Sequence, residues 1–100
     1  MTLRVWMTEI RVQLCFGSIG DREIGVSVSR GVYTTAPNEE EAKAAALQRM
    51  VNFWVSQKKA KVLSEKEGCV KLQVVSTDDE GQSHEYTISI KTDGQSKVVI

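Results

Sequence analysis

Asn38 to Lys59 reads NEEEAKAAALQRMVNFWVSQKK, and this stretch decides the fold because it marks both ends of one helix. Pro37 precedes Asn38, a good N-cap, and Glu39, Glu40 and Glu41 put carboxylates where a helix macrodipole is positive. Gln57 and the cations Lys58 and Lys59 close the other end. Between them Ala42, Ala46, Leu47, Met50, Val51, Phe53, Trp54 and Val55 cover more than half of the circumference. An apolar face that wide asks to be laid on a sheet. The helix should stop or bend near Lys59–Lys61. Continued to residue 67 it would be about 45 Å long at 1.5 Å per residue, too long for this chain. A short connector or strand at Lys61–Leu63 is expected before Gly68.

Upstream, the pattern changes to strict alternation. Trp6, Ile10, Val12, Leu14 and Phe16 share one parity, with Arg11 and Gln13 on the other. After Gly17-Ser18-Ile19-Gly20-Asp21 it resumes with Ile24, Val26, Val28 and Val32, the signature of a hairpin. Pairing Phe16 with Arg22 sets Leu14 against Ile24, Val12 against Val26, Ile10 against Val28, Trp6 against Val32 and Val5 against Tyr33. Downstream, Val70, Leu72 and Val74 alternate, a turn at Ser76–Ser83 follows, and Tyr86, Ile88 and Ile90 alternate again. A three-residue loop at Thr92-Asp93-Gly94 would align Ile88 with Val98 and Tyr86 with Ile100. The expected architecture is a single domain over residues 1–100. It is an α+β two-layer sandwich, with one long helix on an antiparallel sheet of about five strands, in the order ββαβββ.

Composition narrows the function. Thirteen basic and thirteen acidic residues cancel, and the halves balance separately, so the basic excess of a nucleic-acid binder is missing. Cys15 and Cys69 stand in no metal-binding spacing, which suits two reduced cysteines in a cytoplasmic protein; a Cys15–Cys69 bridge has no support. Arg4, Glu9 and Arg11 interrupt any secretory apolar run, and no segment reaches membrane-spanning length.

His84 is the one histidine, close to Asp78, Asp79, Glu80 and Glu85. One imidazole among turn carboxylates falls short of a metal-ligand set, and no nucleophile–base–orienter arrangement can be read. No catalytic, cofactor or metal residues are therefore expected. Gly17-Ser18-Ile19-Gly20 has the glycine spacing of a KH-type loop, but it joins strands and carries no lysine. Glu41-Ala42-Lys43-Ala44-Ala45-Ala46 is similar to the Ala-rich helix start of double-stranded-RNA-binding domains. Where that family places lysines, this chain has Glu39, Glu40 and Glu41, and strands follow its helix, so RNA binding is not expected from it. Lys58, Lys59 and Lys61 form the one basic cluster, as the helix C-terminus would want.

The positive sign is apolar. With Trp6 facing the helix, Leu3, Val5 and Met7 point to the opposite side of the sheet, beside Tyr33. Such a patch suits a protein partner, heterologous or a second copy forming a homodimer, and the strand's edge could be free for pairing. We expect a non-catalytic protein-binding module. Small neutral proteins of this build occur as inhibitors, antitoxins and adaptors, some encoded by viruses or other mobile elements and acting against host defence proteins. The alternative is a nucleic-acid module using Arg4, Arg11, Arg22 and Arg30 with Tyr33 stacking. A third reading is a small hydrolase or metal-binding protein around His84 with Asp78 or Glu80.

Overall fold

The computed structural model describes residues 2–100 and, within them, all side chains but those of Ser18 and Glu23. One helix, α1 (Glu39–Lys58), packs on one face of an antiparallel sheet of β1 (Arg4–Ile19), β2 (Arg22–Ala36), β3 (Lys61–Lys66), β4 (Cys69–Thr77), β5 (Ser83–Thr92) and β6 (Lys97–Val98). The spatial order is β2-β1-β5-β4-β3, with β6 also pairing with β1. The expected α+β architecture is therefore present, with β3 as a strand where the sequence left a connector open.

The helix is bounded as its sequence demands. The Asn38 side chain accepts a hydrogen bond from the Glu41 N–H at 2.9 Å, and Lys43 pairs with Glu39 at 3.3 Å. At the far end the Ala60 N–H donates to the Trp54 carbonyl at 3.1 Å. That closure puts Lys59 at φ 54, a left-handed conformation usually left to glycine. Ala46 and Val51 bury in one cluster with Ile10, Val12, Val32, Leu72, Ile88 and Ile90, and Ala42 is buried beside Thr34, whose hydroxyl donates to the Ala42 carbonyl at 3.4 Å. Small residues at the helix start let it sit close over the sheet; Phe53 and Val55 remain exposed near its end.

The first hairpin corrects the expected register by two residues. Leu14 faces Val26, Val12 faces Val28, Ile10 faces Arg30, Trp6 faces Thr34 and Met7 faces Tyr33, while Val5 faces Thr35. The reason is the turn. The strands stay paired up to Ile19 and Arg22, leaving only Gly20 and Asp21 in the loop, with Gly20 at φ 63 as a primed turn requires. A two-residue turn alone would set even-numbered residues of β1 against odd-numbered ones of β2. A one-residue bulge at Phe16, between Cys15 and Gly17, restores even against even. Face assignment survives the shift, and the partners change.

The C-terminal segment needs a second correction. β4 and β5 pair as expected, with Val70 facing Ile90, Leu72 facing Ile88 and Val74 facing Tyr86. β6 does not fold back on β5. It runs on along the same flank of β1, with Trp6 facing Val98 and Met7 facing Lys97. The register explains why: β5 meets β1 with Val12 facing Ile90, and the Asp93 N–H still reaches the Glu9 carbonyl at 2.9 Å. The residues between bulge toward the helix, where Ser96 is buried. Its hydroxyl lies 2.6 Å from that of Thr8, and its N–H donates to Glu39 at 3.2 Å. Thr8 is thus the polar break in the apolar parity of β1, satisfied from the far end of the chain.

β1 is therefore an inner strand, between β2 on one side and β5 and β6 on the other, and not the free edge expected for the N-terminal patch. The outer edges of the five-strand path belong to β2 and β3, and the two-residue β6 pairs on one flank, with β1.

Gly25 lies beside the bulge, where an added Cβ would sit 2.0 Å from the Leu14 carbonyl oxygen. Gly25→Ala should lower the stability measured by urea unfolding by about 2 kcal/mol, whereas Gly17→Ala, with open space around it, should change it by less than about 0.5 kcal/mol. Lys59→Gly, which relieves the left-handed cap, should raise stability by about 1 kcal/mol in the same measurement.

Candidate functional site

The ribbon of β1 and β2 is longer than the helix that covers it. Sixteen- and fifteen-residue strands reach roughly 50 Å at 3.3 Å per residue, while twenty helical residues reach about 30 Å. The molecule measures 53 × 29 × 20 Å accordingly. On the helix-bearing face, the far half of the ribbon is left bare. Phe16, Ile24, Val26 and Val28 are each about half exposed, and the Phe16 ring touches Tyr86 at 5.7 Å between centroids.

Where the ribbon emerges from beneath α1 there is a trough of about 610 Å³. Val12, Leu14 and Val28 contribute from the sheet, and Met50, Phe53 and Trp54 from the helix. Phe53 meets Trp54 edge-on at 5.9 Å. Arg30, Gly31, Val32, Tyr33 and Arg49 complete the lining, and no carboxylate lines it among the described residues. Arg49 donates to the Tyr33 carbonyl at 2.6 Å and so fixes the helix over the outer edge of β2. Sequence reasoning placed all of these apolar residues in the core. The signal it passed over was length: fifteen alternating residues of β2 cannot all lie beneath a helix two-thirds as long.

The four residues expected to form a contact patch do share the other, uncovered face. Leu3 and Tyr33 are exposed, and Val5 and Met7 are half-buried. Tyr33 stands directly opposite Met7, and Val99 joins them, its N–H donating to the Val5 carbonyl at 2.9 Å. The patch is compact, with Lys97 paired beside Met7.

The arginines of the nucleic-acid reading do not converge. Arg11 pairs with Asp93 at 3.0 Å on the open face, while Arg22 and Arg30 have the parity of the helix-bearing face and lie about 26 Å apart along β2. Lys58 ends α1, Lys59 caps it and Lys61 begins β3. Cys15 and Cys69 are free thiols. They stand beside Thr87 and Lys91, positions about 13 Å apart along β5, beyond the reach of a disulfide.

His84 lies 2.7 Å from Asp78, and the other Asp78 oxygen accepts from the Glu80 and Gln82 N–H groups at 3.0 and 2.9 Å. This arrangement ties the exposed β4–β5 turn shut. Among the described residues no three His, Cys, Asp or Glu side chains are grouped as metal ligands. Among the described residues no helix is long and apolar enough to cross a membrane. Comparison with protein-family models, curated proteins and solved structures finds no match to this chain.

His84 first, then the Gln82 N–H, hold the Asp78 carboxyl below its ordinary value of 3.8. A depressed carboxylate contributes to folding above its unfolded pKa, and the contribution is lost as pH falls through the folded value. The Glu80 and Gln82 amide resonances should therefore shift together in an NMR titration with a midpoint below pH 3.8. They should stay flat through that range in Asp78→Asn.

Proposed function

We propose that this protein is a non-catalytic protein-binding module whose docking surface is the β2 side of the molecule, the trough under α1 and the bare ribbon that continues from it. One observation carries the reading: a contiguous run of apolar side chains from Phe53 through Val28 to Ile24 lies open to solvent on the face that elsewhere forms the core. A contiguous exposed apolar patch of this kind is often functional and suits a contact surface. The trough is concave and lined by the aromatic side chains of Phe53 and Trp54, and aromatic residues seated in pockets at the centre of an interface carry much of its binding energy. The balanced charge of the chain agrees with recognition by burial of apolar surface, not by a long-range field. An inhibitor, antitoxin or adaptor would work through such a surface, and the compact patch of Leu3, Val5, Met7 and Tyr33 gives the opposite face a smaller contact of its own.

The test compares two single substitutions on opposite faces. Phe53→Glu should leave the circular dichroism spectrum and melting temperature near those of the wild type, while reducing capture of binding proteins from the native host at least about tenfold. Val75→Glu, on the uncovered face of β4, should capture as the wild type does. Equal capture by Phe53→Glu and the wild type would remove the trough from the interface.

A further inference from the structure

The two long outer strands of the sheet, β2 and β3, are built in opposite ways. β3 is six residues long, reads KVLSEK, and carries a bulge at Leu63. Short length, lysines and a bulge are the devices by which a sheet edge avoids pairing with another chain. β2 has none of these. It runs fifteen residues without a bulge of its own and without lysine or proline, and every residue from Ile24 to Gly31 is exposed. Among the described residues no other strand lies along its outer side.

We infer that two copies of this chain pair antiparallel through β2, joining their sheets into one. The inference rests on the reading of the β2 side as a docking surface and names its occupant.

Three observations fix how the copies meet. The Tyr33 carbonyl points outward, since Arg49 reaches it from the helix. Backbone groups of alternate residues share a direction in an antiparallel strand, so Gly25, Ser27, Ser29 and Gly31 also present their N–H and C=O groups outward. Arg49 closes this row at Tyr33, leaving the segment from Gly31 back toward the turn to pair. Within it a two-fold axis at Ser27 sets Ser27 against its own copy and Gly25 against Ser29, all on outward-facing positions. On the helix-bearing face it sets Val26 against Val28 of the second copy and Ile24 against Arg30. Moving the axis to Val26 would bring Arg22 against Arg30, a like-charge pair, so Ser27 is the better centre.

The surface is self-complementary in size as well. Phe53 lies one helical turn beyond Arg49, over the edge near Arg30, where this register places the second copy's Ile24. Ile24, Val26, Val28 and Phe53 are 45, 53, 45 and 48% exposed. Together they leave on the order of 400 Å² of apolar surface per copy, close to the roughly 450 Å² non-polar share of a standard interface that buries about 800 Å² per partner. A two-fold contact of this kind uses one patch twice and closes on itself.

Sedimentation equilibrium of the full chain across micromolar to submillimolar concentrations tests the inference. The wild type should have twice the 11.1 kDa chain mass. Val26→Lys, which sets a charge on an already exposed position beside the two-fold axis, should sediment at 11.1 kDa. Val75→Lys, on the uncovered face of β4, should remain a dimer. Should Val26→Lys fail to fold, Ser27→Pro gives the same reading, because it removes an outward N–H and spares the β1–β2 ladder. A monomeric wild type, or dimers that persist in the folded variants, would overturn the inference. If the wild type is monomeric while Phe53→Glu still loses captured protein, only the second copy is wrong as occupant. If capture is also unchanged, the docking surface falls with it.

Discussion

A single extra residue at Phe16 governs the molecule. Side chains in a strand alternate between faces, so a hairpin keeps its apolar residues together only if paired positions have matching parity. The tight Gly20–Asp21 turn by itself would give the opposite parity, and the bulge restores it. Every layer of the core depends on that correction. Ile10, Val12 and Leu14 must face the same way as Val28 and Val32 for α1 to have a floor. Val12 and Leu14 must also meet Ile90 and Ile88 on the other flank. Gly25, without a Cβ, makes the space in which the bulge can form.

The helix then divides the ribbon into two regimes. Beneath its first half, Ala42 and Ala46 approach closely and leave no gap. Toward its end the side chains grow to Met50, Phe53 and Trp54, and a trough opens between helix and sheet. Beyond Lys59 the sheet continues uncovered. The same apolar alternation is thus interior at one end of β2 and surface at the other. Burial here is decided by how far the helix extends, not by residue type.

Much of this was legible in the residues. Asn38 and the three glutamates mark the helix start, and alternation assigns each strand residue to a face. The two-layer architecture follows from those two signals. What was not legible depends on distance along the chain. Nothing local distinguishes a Gly20–Asp21 turn plus bulge from a longer loop, because both preserve parity and bury the same side. The fate of β6 is similar: its two residues pair equally well in sequence terms with β5 or β1. The β5–β1 register, the Thr8–Ser96 contact and the Glu39 carboxylate, all distant in sequence, go with pairing to β1. The trough escaped notice because apolar residues in alternation are read as buried unless strand and helix lengths are compared.

The position of β1 has a consequence for the order of assembly. Its nearest partner in sequence, β2, is made at once, but its other flank is filled only by β5 and β6, some eighty residues later. During synthesis the nascent hairpin would carry two open flanks and an apolar face until the last segments emerge. Sheets closed by such distant pairings have high contact order and fold slowly, with sticky partly formed states. The final strands therefore act as a latch, and the chain holds little of its native core before they arrive.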